Sequence, residues 1–454
     1  MEILNSFFEK FSAILWGWPM IIMLLGTHLY LTIRLGFPQR RIIEGIRLSF
    51  AKDNNAKGDV SQFGALATAL AATIGTGNII GVAIAVAMGG PGAVLWCWLT
   101  GVFGIATKYS EGLLAVKYRE TTPDGRILGG PMYALEKGLG MKWMGILFAI
   151  LTAAASFGIG CTVQANAITS MFSDSYGISP YIIGGISTVL VTLVIVGGVK
   201  SISKVCSTLV PTMALLYMIG CLVILVINSE FVWPAIQLIC KSAFNPQSMG
   251  GGLAGGTVML AARYGIARGL FSNESGLGSA PIVAAAAKTD NPVRQALVSS
   301  TGTFWDTVVI CAMTGIVIVS SILAYPEIDV TSGAALTKAA FSKIPYVGTP
   351  LLSFGLFTFA FSTILGWSYY GERAVEYMVA KTNLKVKTVI NIYRTLFLIT
   401  VYLGAVVSLD LVWNLADIFN ALMAIPNLIA LLLLSGVIVK ETRKYLWEGD
   451  IDKD

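Results

Sequence analysis

Apolar runs long enough to cross a bilayer recur along almost the whole chain, which restricts it to a polytopic, all-helical membrane protein. A bilayer core takes about 20 apolar residues per helix. Eleven such spans are expected, at 11–36, 60–88, 91–117, 144–172, 179–198, 205–228, 251–288, 294–323, 348–379, 387–408 and 412–438. A soluble chain breaks runs of this length with amphipathic stripes and polar loops. Only 12% of the residues are charged, against about 25% in a soluble protein. That is too few to cover a water-exposed surface on 454 residues.

Basic residues orient the spans. With the loop 37–59 in the cytoplasm, 25 of the 31 Lys and Arg residues fall in or beside cytoplasmic segments. Positive residues favour that side, so the N-terminus is expected outside and the C-terminus inside. The net charge of +6 then reflects topology. No basic patch with interleaved aromatics points to nucleic acid. The start, with Glu2, Glu9 and only Lys10, does not read as a cleavable signal peptide. Six cysteines show neither a CxxC pair nor metal-ligand spacing. The single histidine, His28, reads as a buried structural residue. These features argue against a membrane-embedded enzyme, and the segment GTGNIIG at 75–81 lacks the spacing and lysine of a phosphate loop.

Two spans carry residues that helices disfavour. One contains Gly75-Thr76-Gly77-Asn78; the other contains Phe271-Ser272-Asn273-Glu274-Ser275-Gly276-Leu277-Gly278. Gly costs about 1 kcal/mol in a helix interior, and Asn and Ser compete for backbone hydrogen bonds. A break is expected in each. Broken backbone at membrane depth is tolerated only where it is buried or lines a cavity. The two breaks are five spans apart and so run in opposite directions, the arrangement of an inverted repeat whose interrupted helices mark the substrate site. Orphan N–H groups and the helix dipole at the first break suit a carboxylate, and the carbonyls that precede it suit a cation.

Glu274 needs a partner at this depth: a substrate ammonium, a cation, or a structural pair with Arg263 or Arg268. Asp306 and Asp417 serve a cation or cap a neighbouring helix. Lys108 and Glu111, three apart, fit an ordinary ion pair. Ser362 and Thr363 are expected to bond back to their own helix. A channel would show repeated pore loops or rings of like residues, and none is seen.

The segments Gly89-Gly90-Pro91-Gly92-Ala93, followed by Trp96-Cys97-Trp98, and GLFSNESGLGSAP at 269–281 resemble the signatures of the alanine or glycine:cation symporters of prokaryotes. These belong to the amino acid–polyamine–cation superfamily. The resemblance runs over residues 60–440. It implies a leucine-transporter-type (LeuT) fold of two inverted five-helix repeats, 59–229 and 230–440. An extra N-terminal span and loop at 1–58 precede them, and a cytoplasmic tail at 441–454 follows. It also implies import of alanine or glycine through a prokaryotic cell membrane by alternating access. Sodium is the coupling ion, with protons as the alternative; no other cofactor and no obligatory protein partner is implied. Matched on the Gly-x-Gly-Asn core, the carbonyls of Ala71 and Ile74 and the hydroxyls of Ser362 and Thr363 would hold one sodium. Thr73 and Asn78 fall where some relatives have a second. Trp367 would face the substrate and shorten its pocket. The candidate substrate set is Thr73, Gly75, Thr76, Gly77, Asn78, Gln164, Phe271, Ser272, Asn273, Glu274, Gly276 and Trp367. The acidic Glu274 departs from the uncharged segment of the leucine transporter.

Overall fold

The computed structural model describes residues 2–51, 56–123, 125–245, 258–380, 382–407, 410–449 and 451. It is almost wholly helical; its one sheet, among the described residues, is a short hairpin pairing Glu120 with Leu128 and Thr121 with Ile127. Among the described residues seven helices are long and apolar enough to cross a membrane, and an eighth span forms if the bent pair Gln62–Thr73 and Gly77–Gly89 is counted as one. Two further expected spans are helical but less typical. Gly92–Lys117 carries Lys108, Glu111 and Lys117 within its 26 residues, and Pro180–Ile195 is only 16 residues long.

Both expected breaks are present. The first span bends by 50° between Thr73 and Gly77. Ile74 there is extended, with ψ at 90°, and Gly77–Gly81 is a wide π turn. The second expected span, 251–288, is a helix only over Val258–Asn273 and again over Pro281–Ala284; residues 251–257 lie outside the described residues. Between these helices Glu274, Gly276 and Gly278 take φ values of 55°, 92° and 84°. Glycine adopts such angles freely, whereas a side chain there costs of order 1–3 kcal/mol and needs surrounding structure to hold it.

The two broken spans are tied together at one end. Val60 donates to Ala286 at 3.2 Å, and Lys288 donates back to Val60 at 2.8 Å, as in a parallel bridge. Arg119 caps the same turn through the carbonyls of Ala285, Ala287 and Thr289. The long helix Gly348–Val379 packs across the first break because Gly366 offers no side chain: a Cβ there would stand 2.7 Å from the Cβ of Ala72. The helix Trp18–Arg34 lies against Gly92–Lys117, where His28 is fully buried and its Nδ1 meets the Thr107 hydroxyl at 2.7 Å. The loop hairpin brings Arg126 onto Glu376 at 2.7 Å. Arg373 and Arg394 extend this into a cluster of ion pairs through Glu372 and Glu376, each at 2.6 Å.

Candidate substrate and cation site

An unsatisfied backbone group in the hydrocarbon region costs several kcal/mol, so each break must be supplied with partners. Side chains supply them. At the first break the N–H of Gly75 donates to Asn78 Oδ1 at 2.9 Å, and the N–H of Thr76 donates to Gln164 Oε1 at 3.4 Å. Gln164 is aimed by its own Nε2, which donates to the Ile159 carbonyl at 3.1 Å. At the second break the N–H groups of Gly276 and Gly278 both donate to Glu111 Oε1, at 3.0 and 3.1 Å. Asn427 donates to that same oxygen at 2.7 Å and to the Gly276 carbonyl at 2.9 Å. Asn273 turns its Oδ1 back to accept from the N–H of Ser275.

Asp306 joins the two breaks. Its carboxylate accepts from Asn78 Nδ2 at 2.8 Å on the first and from the Ser272 hydroxyl at 3.0 Å on the second. Thr307 donates to it at 2.6 Å. Asp306 is fully buried within an eight-residue π-helical stretch, Phe304–Cys311. One charged group thus fixes the spacing of both interrupted helices, and bonds to charged acceptors are the stronger kind. Its signal in the sequence was an acid inside an apolar span followed by a threonine. Nothing local tells that Asn78, 228 residues away, is its partner.

The four expected cation ligands come together. The Ser362 hydroxyl lies 3.2 Å from the Ala71 carbonyl, and the Thr363 hydroxyl lies 3.0 Å from Ala71 and 3.5 Å from Ile74. Both hydroxyls also bond back to Phe359, as isolated hydroxyls on a membrane helix do. The approach depends on Gly75, where a Cβ would meet Thr363 Oγ1 at 2.5 Å. The result is a knot of four neutral oxygens across the unwound backbone and the long helix, the donor set unwound helices present to sodium.

The remaining candidates lie around this knot. Thr73 bonds back to Ala69 and Leu70. Gly77 lets Phe271 and Ser272 approach, since a Cβ there would be 3.4 Å from the Phe271 ring. Phe271 carries the Arg268 guanidinium 5.7 Å above its face, and Arg268 lines two clefts of about 230 and 420 Å³. Neither Arg263 nor Arg268 forms an ion pair with Glu274 among the described residues, so the structural-pair alternative does not hold. Glu274 accepts instead from the Trp367 indole N–H at 3.0 Å and from the Ser279 hydroxyl, which also hold its left-handed backbone. Trp367 is fully buried and stacks edge-on against Tyr370. Its ring lies on Gly160, where any Cβ would overlap it. Gly160→Ala is therefore expected to displace the indole. Overpacking of this kind costs about 1–3 kcal/mol, so the thermal midpoint of the purified variant should fall below that of the wild type.

Two buried polar atoms at the breaks have no hydrogen-bond partner among the described residues: Thr76 Oγ1 and Asn273 Nδ2. Buried polar groups are seldom left unpaired, and these two lie one on each interrupted span.

Known proteins match the whole chain. The sodium:alanine symporter family profile covers residues 1–454. The chain belongs to the sodium:alanine symporter family. Like its relatives there it is a membrane transporter and not an enzyme. It is similar to the sodium/alanine symporter AgcS of Methanococcus maripaludis, 48% identical over 97% of each chain. An uncharacterized transporter of Haemophilus influenzae is 51% identical over 97% of this chain and 96% of its own. The probable sodium/glutamine symporter GlnT of Bacillus subtilis is 38% identical over 100% of this chain and 93% of its own. Among solved structures the fold matches MhsT in complex with L-phenylalanine (TM-score 0.60, 14% identity, 86% of this chain and 94% of that one). It also matches a sodium-coupled sialic acid symporter (TM-score 0.53, 12% identity, 94% and 86%). The fold is thus of the LeuT type expected from the sequence.

Proposed function

We propose that this symporter carries alanine or glycine into a prokaryotic cell together with sodium, by alternating access around the two breaks. The observation that carries the proposal is the convergence of Ala71, Ile74, Ser362 and Thr363 oxygens on one point. Such a point suits a dehydrated monovalent cation, and a proton has no need of four neutral oxygens. The family profile and the similarity to AgcS support sodium and alanine.

The amino acid lies beside the knot. Its carboxylate takes the N–H groups at Thr76 and Gly77, displacing the long contact from Gln164. Its ammonium faces the second break, where the Glu274 carboxylate and the backbone carbonyls around Ser272 offer acceptors. Trp367 and Gly160 close the pocket around the side chain, and the fixed indole leaves room for a methyl group or a hydrogen. Thr73, Asn78, Ser272 and Asp306 form the opposite wall, where an acidic group offers a second cation a place.

Alternating access needs a gate on either side. Phe271 under Arg268 closes the side reached by the two clefts, which the charge rule places outside. The Arg126, Arg373, Arg394, Glu372 and Glu376 cluster closes the other. The expected plan of eleven spans follows, with an N-terminal extra span at 1–58, repeats at 59–229 and 230–440 and a tail from 441. The bridge between Val60 and Ala286–Lys288 supports pairing the first span of each repeat.

Reconstituted protein should accumulate labelled alanine or glycine against its gradient when sodium is imposed inward at constant pH. Uptake that follows an inward proton gradient and ignores sodium would move the coupling ion to the acidic groups. Absence of gradient-driven uptake with either ion would remove the symport proposal.

A further inference from the structure

Lys108 is not accounted for by the site. It lies within Gly92–Lys117, its side chain is 3% exposed, and its Nζ has no hydrogen-bond partner among the described residues. An ammonium has three donors, and leaving all of them idle at membrane depth is costly. The expected ordinary pair with Glu111 is loose: the charges stand 4.0 Å apart. Glu111 gives its Oε1 to Gly276, Gly278 and Asn427, while its Oε2, the atom facing Lys108, accepts nothing. Lys108 also borders a narrow cavity with Gln295 and with Thr73, the last residue of the helix before the first break. Gln295 Oε1 is buried without a partner as well.

The charge arrangement gives the idle ammonium a use. Lys108 acts electrostatically on three buried carboxylates, Glu111, Glu274 and Asp306, and on His28. These acids serve the two breaks, as described above. When a bound cation leaves, this core becomes more negative by one charge, and an uncompensated buried charge costs several kcal/mol. Lysine suits the task of compensating it, being a point charge on a flexible four-carbon stem.

We propose that Lys108 is a tethered counter-cation for the unloaded carrier. While sodium and amino acid are bound, its ammonium stays withdrawn from Glu111. Once they have left, it closes the gap to the free Glu111 oxygen and leans toward the second break, balancing the carboxylates so that the empty carrier can return. The proposal rests on the alternating-access reading. It makes Lys108 a positioning residue for one step of the cycle, with no contact to substrate.

The test separates that step from the others. Net sodium-driven alanine uptake requires return of the empty carrier; alanine–alanine exchange with saturating sodium on both faces does not. In proteoliposomes Lys108→Met should slow net uptake by at least about tenfold while exchange stays within about twofold of the wild type. Lys108→Arg, which keeps the charge, should retain net uptake. A folding defect is excluded by the yield of membrane-inserted Lys108→Met and by its thermal midpoint, both of which should match the wild type. Unchanged net uptake in Lys108→Met overturns the proposal. So does an equal loss of exchange and net uptake in a Lys108→Met protein that inserts and melts as the wild type does. A wild-type protein without sodium-driven uptake would overturn the transport reading itself, and with it this one.

Discussion

Asp306→Ala is expected to lower sodium-driven alanine uptake by at least about two orders of magnitude. Three donors converge on this carboxylate: Asn78 from the first break, Ser272 from the second, and the neighbouring Thr307. Each donor left buried without an acceptor costs about 1–3 kcal/mol. Asn78 also holds the N–H of Gly75, so the damage passes directly into the unwound backbone of the first break. Loss of two of these bonds in the transporting state corresponds to roughly a hundredfold in rate. Asp306→Asn is the informative companion. Its amide preserves one acceptor and removes the charge, so it should restore protein abundance in the membrane ahead of transport. Initial rates normalised to the amount of inserted protein separate the two contributions. Wild-type rates in Asp306→Ala would mean that the breaks are spaced by other contacts.

The second large effect belongs to the cation knot. Ser362→Ala combined with Thr363→Ala removes two of its four oxygens and leaves the carbonyls of Ala71 and Ile74 facing methyl groups. The helix Gly348–Val379 should tolerate the change, because both hydroxyls bond back to Phe359 on their own helix and alanine is the best helix former. Half-saturating sodium for alanine uptake is therefore expected to rise at least about tenfold, equivalent to ~1.4 kcal/mol of lost cation binding. The maximal rate at saturating sodium should change much less. An unchanged sodium requirement would place the coupling ion elsewhere, with Asp306 as the next candidate.

What could be read from the sequence, and what could not, follows from the range of the interactions involved. The breaks at Thr73–Gly77 and beyond Asn273 were legible because Gly and Asn act on their own backbone. The approach of Ser362 and Thr363 to the Ala71 and Ile74 carbonyls was legible only through the resemblance; periodicity puts both on a helix, and the expectation from that alone, bonding back to the helix, is also met. Asp306 and Glu111 were seen but not understood. Each supports a break more than 160 residues away, and sequence spacing suggested for Glu111 a local pair with Lys108. Glu274 was recognised as costly, yet its hydrogen-bond partners among the described residues are an indole and a hydroxyl rather than Arg263 or Arg268, and bonds from neutral donors also favour a carboxylate. The eleven-span count rests on hydropathy, and the charged, largely buried Gly92–Lys117 shows why a helix packed inside a bundle is hard to count: burial relieves it of the need to be uniformly apolar. Pro180–Ile195 is hard for another reason, its length, since it is apolar and exposes Ile182, Ile186, Val189 and Leu193.

The central claim is that amino acid and sodium meet at the same unwound backbone and stabilise each other there. Equilibrium binding of alanine to the purified protein, titrated at several sodium concentrations, tests this without any transport step. Linkage requires the effect to be mutual. Alanine should bind at least about tenfold more tightly at saturating sodium than in its absence, and alanine should tighten sodium binding by the same factor. Alanine affinity that stays constant from zero to saturating sodium would contradict the account.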